Sequence, residues 1–106
     1  MVTFAEFKKL EIKVAKIKEV KDHPNADKLY VIVIDLGDKL KQIVAGIKSA
    51  YTKEDLVGKQ VVVVDNLEPA VLRGVESQAM LLAAQDDQGV CIIMPGREMK
   101  LGSVVK

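Results

Sequence analysis

With 106 residues and 49% apolar side chains, the chain can bury one small core and not two, so residues 1–106 read as a single domain. Sixteen Lys and Arg against fifteen Asp and Glu leave a formal charge of +1, which excludes a histone-like binder of polyanions. The single cysteine, Cys91, excludes an internal disulfide, and no apolar run approaches the roughly 20 residues of a membrane helix.

A cytoplasmic chain without a membrane partner is therefore expected, and the charged start "MVTFAEFKKLEIK" does not read as a secretory signal. Charge is unevenly spread. Residues 1–53 carry eleven Lys against seven Asp and Glu, whereas residues 54–106 carry five basic and eight acidic side chains. The positive potential is expected on the N-terminal half.

Along the chain, Thr3 to Lys9 reads as a helical turn or two, with Thr3 as N-cap and Glu6 closing a capping box. "LEIKVAKIKEV" alternates, with Leu10, Ile12 and Val14 on one face. A phase slip at Ala15 returns Ile17 inward, which predicts a bulge or bend there and places Lys13, Lys16 and Lys18 outward. Leu29 to Leu36 is apolar on both faces apart from Asp35 and reads as a central strand. "GDK" turns the chain into a third strand, "LKQIVAG". Thr52 caps a short helix, Lys53 to Val57, with Asp55 as the capping-box acid and Gly58 at its stop. A fourth strand at 60–64, a fifth at 79–84 and a sixth at 90–94 complete the pattern. Three strands, a short helix and two strands is the plan of an OB-fold, an all-β five-stranded Greek-key barrel. In that fold, ligands meet the loops between strands 1 and 2 and between strands 4 and 5, here 20–28 and 65–78.

The first loop, "HPNADKL", holds the only histidine. One His and one Cys fall short of the three or four ligands of a zinc site, so no metal is expected. General-base work by His23 would need a nucleophile that the surroundings do not supply. A turn scaffold fits better: Pro24 fixes φ, and Asn25 and Asp27 bond back to the backbone. Lys28 leaves the turn at the barrel mouth, either as a solvated cation or as a phosphate contact. In the second loop, Arg73 suits bidentate contact with phosphate, and Asn66, Ser77 and Gln78 are hydrogen-bonding groups placed for polar readout. Met80 is either core or a flexible apolar surface for an unstacked base. Only Tyr30 and Tyr51 could stack bases outside the N-terminal turns, which favours a reader of folded RNA over a single-strand binder.

Four blocks, "LEIKVAKI" (10–17), "HPNADKL" (23–29), "KQIVAGI" (41–47) and the run from Val57 to Ala84, resemble the tRNA-binding domain family over nearly the whole chain. That family includes the free-standing bacterial tRNA-binding protein and the C-terminal domain of methionyl-tRNA synthetase. The resemblance implies a homodimer that binds tRNA by shape, with no cofactor and no chemistry of its own. It would serve as an accessory subunit or module beside a methionyl-tRNA synthetase catalytic chain. By position, it carries tRNA contacts onto Lys28, Ser77 and Met80, with Asn66, Arg73 and Gln78 in the same matched block and Lys13, Lys16 and Lys18 nearby. Two departures stand out: Ala15 where many members have Gly, and Ala79 where "SxGM" is usual. A peptide-binding export chaperone of the same fold and a purely structural dimerisation module are the competing readings.

Overall fold

The computed structural model describes residues 1–106. Two short helices, α1 (Phe4–Phe7) and α2 (Lys53–Leu56), accompany nine strands. These are β1 (Ile12–Asp22), β2 (Tyr30–Asp35), β3 (Leu40–Ala45), β4 (Gln60–Val64), β5 (Ala70–Leu72), β6 (Val75–Ser77), β7 (Met80–Leu81), β8 (Ala83–Asp86) and β9 (Gly89–Ile92). The principal sheet runs β3-β2-β1-β4-β7, antiparallel at every pairing. It curls into the expected OB-like barrel, with α2 between β3 and β4.

The long β1 makes the curl possible. Its first half pairs with β4 from Ile12 to Lys16, and its second half pairs with β2 from Lys16 to Asp22. The bend lies at a bulge between Ile17 and Glu19, not at Ala15. The slip read at Ala15 has another origin, because β1 is covered on both faces from Ile12 to Ala15. Ala15 and Ile17 enter the barrel, while Ile12 packs outside it with Val62 and Val64. The extra residue at Lys18 then swings Val20 inward. Lys13 consequently points toward the barrel end rather than outward. Ile17, Ile32, Ile34, Ile43, Leu56, Val61 and Val63 fill the interior. Both predicted capping boxes form, Thr3 with Glu6 and Thr52 with Asp55, and the second holds α2 so that Leu56 plugs the core.

Barrel closure uses side chains. Ser77 Oγ accepts from the Val44 N–H at 3.0 Å, and Gln78 Oε1 accepts from the Gln42 N–H at 2.9 Å. The Gln78 N–H returns a bond to the Gln42 carbonyl at 2.8 Å. These bonds satisfy the free edge of β3, which would otherwise expose unpaired amides.

Residues 65–78, expected as a loop, contain the β5–β6 hairpin. The fifth strand is broken at Leu82, whose N–H turns to Val62 O while its carbonyl accepts from Ile93 N–H. The chain thereby leaves the barrel to form the β8–β9 hairpin, and the sixth strand covers 89–92 instead of 90–94. The C-terminal tail then docks on the free edge of β1: Gly102 N–H donates to Val14 O at 2.8 Å and Val105 N–H to Ile12 O at 2.8 Å. Gly102, at φ +86°, has no room for a side chain, since a Cβ would meet Leu36 O at 2.7 Å.

Candidate nucleic-acid interface

The first loop and the β5–β6 hairpin converge because His23 ties them together. The Nδ1 of His23 accepts from the Asn25 N–H at 2.9 Å, which fixes the neutral Nε2–H tautomer. Nε2 then donates to Leu72 O at 2.8 Å, 49 residues away in sequence. His23 is 6% exposed, so water competes little for these bonds. Asn25 reinforces the junction: its Nδ2 donates to Arg73 O at 3.2 Å, and an Arg73 guanidinium nitrogen donates back to Asn25 O at 3.3 Å. The hairpin turn is Arg73-Gly74, with φ of 52° and 89°, the left-handed pair that a two-residue hairpin requires. His23 is thus both turn scaffold and clamp between loops.

At the other end of the hairpin lies an ionic knot. The Asp65 side chain is 2% exposed and meets three ammonium groups: Lys13 at 2.9 Å, Lys39 at 3.3 Å and Lys41 at 2.6 Å. Lys41 aims its N–H bonds at the carbonyls of Asp65 and Gln78 and meets Asp65 Oδ1 as a charge contact. Burial by itself would push the Asp65 carboxyl up. The three lysines outweigh it and hold the group well below the usual carboxylate range. The hydrogen bond to Asp65 likewise raises Lys13 above its ordinary value. Beside the knot, Asn66 accepts from Glu11 N–H at 2.8 Å and donates to Lys9 O at 2.7 Å, so its amide fastens the approach to β1.

The sequence-derived site residues therefore fall into three groups. Lys28 in the first loop and Arg73 at the hairpin turn are exposed, and Met80 is exposed on β7 opposite Val64 of β4. Ser77, Gln78, Asn66 and Lys13 lie in the same region with their polar atoms engaged inside the protein. Lys16 and Lys18 are exposed on β1, and Lys16 lines a separate cleft with Lys59 and Arg97. Sequence reasoning missed the knot and the hairpin. The second was detectable: "AVL" and "VES" flank Arg-Gly, a two-residue turn signal. No three His, Cys, Asp or Glu side chains converge to hold a metal ion.

The family model of the putative tRNA binding domain matches residues 12–104. Methionine–tRNA ligase of Thermococcus onnurineus is 53% identical over 105 residues, covering 99% of this chain and 14% of that enzyme. The chain thus spans a small part of the curated relatives it matches. Among solved structures, a MetRS-related protein from Pyrococcus horikoshii superposes with a TM-score of 0.93 at 34% identity, covering 100% of this chain and 98% of the other. The CsaA chaperone protein of Picrophilus torridus superposes with a TM-score of 0.93 at 31% identity, covering 100% of both chains.

Proposed function

Because the chain belongs to the family of putative tRNA-binding domains, we propose that it binds tRNA by shape, along the strip where the first loop meets the β5–β6 hairpin. The observation that carries this reading is the His23 clamp. It presents Lys28 and Arg73 on two loops fixed to one another, and rigid cations grip a folded backbone without loss of loop entropy. Met80, 47% exposed, supplies an apolar surface for a base. Ser77, Gln78, Asn66 and Lys13 hold the shape of the strip. The domain works as an accessory module beside a cytoplasmic methionyl-tRNA synthetase, raising the local concentration of tRNA.

A homodimer completes the reading. Helix α1 buries none of its residues, and Phe4, Leu10 and Val104 are 74%, 43% and 70% exposed. Leu10 and Val104 stand beside the segments that carry Ile12 and Val105 of the external apolar cluster, and a second copy would cover this exposed apolar face. Sedimentation at micromolar concentration should give twice the 11.6 kDa chain mass.

Fluorescence anisotropy with whole tRNA, a stem-loop fragment and single-stranded RNA tests the function. About four to six phosphate contacts per dimer predict a log–log salt slope of about −3 to −5 with whole tRNA. Lys28→Ala with Arg73→Ala should weaken binding at least tenfold while the dimer persists. A flat salt response, or equal affinity for single strands, would count against the reading. The similarity to a chaperone, with Leu40 and Val71 59% and 69% exposed near the hairpin, supports peptide binding as the alternative. Micromolar binding of unfolded polypeptide without tRNA binding would favour it.

A further inference from the structure

A second basic surface lies away from the hairpin. Lys16, Lys59, Gln60, Pro95, Arg97 and Glu98 line most of a cleft of about 430 Å³ between the β1–β4 ladder and the C-terminal segment. Its walls are fixed. Lys16 stands opposite Gln60 in the ladder, and Ile17 N–H donates to Lys59 O at 2.9 Å. The Gln60 amide clamps the far wall at both ends of one residue, donating to Met99 O at 2.7 Å and accepting from Met99 N–H at 2.9 Å.

Five lysines of the protein are held by carboxylates. Lys13, Lys39 and Lys41 converge on Asp65, and Lys48 and Lys53 converge on Asp22. Lys16, Lys59 and Arg97 have no carboxylate within ion-pair distance. Glu98, in the same cleft, contributes only its backbone carbonyl to Arg97 at 3.2 Å. These three cations share one cleft without an ion pair, and even with Glu98 in the lining and Asp55 near enough to Lys59 to feel its charge, the cleft is net positive. We propose that this cleft is a second RNA subsite, which takes the phosphate backbone of the tRNA already held at the hairpin strip.

The chemistry of the walls favours a backbone over a base or a free nucleotide. The amide of Gln60, a group suited to reading a base edge, is consumed by Met99, and no aromatic ring lines the cleft. Two point-charge lysines and one guanidinium fork give sequence-independent grip on phosphate. The inference rests on the tRNA reading and extends it to a face some distance along β1 from the first loop. Lys16 thereby gains a role that its separation from the hairpin would otherwise deny it.

The test is the triple variant Lys16→Gln, Lys59→Gln, Arg97→Gln in the full chain, titrated with whole tRNA over a salt series. A charge-matched control replaces Lys9, Lys100 and Lys106 by Gln. All three cleft side chains are exposed, so the urea midpoint should not move. The cleft variant should bind at least tenfold more weakly at low salt, with a slope shallower by about 2 to 3, as three lost phosphate contacts require. The control should keep a slope close to wild type. If the wild-type chain does not bind tRNA, the tRNA reading itself falls. If it binds and the cleft variant matches it, or the control loses as much as the cleft variant, the cleft proposal alone is overturned. Saturable perturbation of cleft amides by inorganic phosphate, with tRNA binding unaffected by the triple substitution, would also overturn it in favour of a small-anion site.

Discussion

Replacing Asp65 by Asn removes one charge and almost no volume, yet it should be among the most damaging single changes in this protein. The carboxylate is 2% exposed and sits 2.6–3.3 Å from three ammonium groups. At an effective dielectric constant near 20, each contact is worth about 5–6 kcal/mol before desolvation is subtracted. Removing one partner of a buried pair costs about 3–5 kcal/mol net, because the partners are left buried without their counter-charge. Lys41, with its side chain 22% exposed, is the group stranded here, whereas Lys13 keeps Glu11 at 3.5 Å. For a chain of this size the loss should lower Tm by more than about 10 °C. Urea unfolding followed by circular dichroism measures it directly. Lys39→Ala provides the internal contrast. That side chain is 43% exposed, so water screens its contact and the cost should stay under about 1 kcal/mol. The pH dependence follows from the same carboxylate. Its folded pKa is depressed below the ordinary 3.8, so the stabilisation is complete above about pH 4 and drains away as pH falls through the folded value. Asp65→Asn should lack that acid-dependent part. A variant within 1 kcal/mol of wild type at pH 7, with the same acid profile, would refute the account of the knot.

Two further predictions concern the strip. His23→Ala breaks the bond to Leu72 O and leaves the Asn25 N–H without its acceptor, at a cost of about 1–3 kcal/mol; amide exchange in β5–β6 should quicken and tRNA affinity fall while the barrel core stays protected. Ser77→Ala orphans the buried Val44 N–H and the Ala79 carbonyl, so stability should drop by about 1–3 kcal/mol even without RNA, and an unchanged urea midpoint would contradict its role in closing the barrel.

Much of this was legible in local pattern. Apolar runs marked β2, β3 and β4, the two capping boxes placed α1 and α2, and strand order with the intervening helix pointed to the barrel. Those signals are short-range: alternation, a hydroxyl three residues before an acid, a glycine at a stop. The reading of β1 went astray for an equally definite reason. Alternation presumes one wet face, and β1 has none from Ile12 to Ala15, because Val62, Val64 and the C-terminal tail cover the outside of the barrel there. The same presumption puts Lys13 outward, whereas its ammonium lies 2.9 Å from the buried Asp65 carboxylate.

Pairing across long sequence distances decided the rest. Nothing around His23 announces Leu72, and nothing around Asp65 announces Lys13, Lys39 and Lys41; each bond forms only after the barrel has brought distant strands together. Ser77 and Gln78 could be recognised as polar groups in the right region, but only the free edge of β3 explains which amides they satisfy. Composition and periodicity fix which segments become strands. Which polar atoms remain available to a ligand is settled by the hydrogen-bond requirements of buried groups in the assembled fold, and these depend on all strands at once.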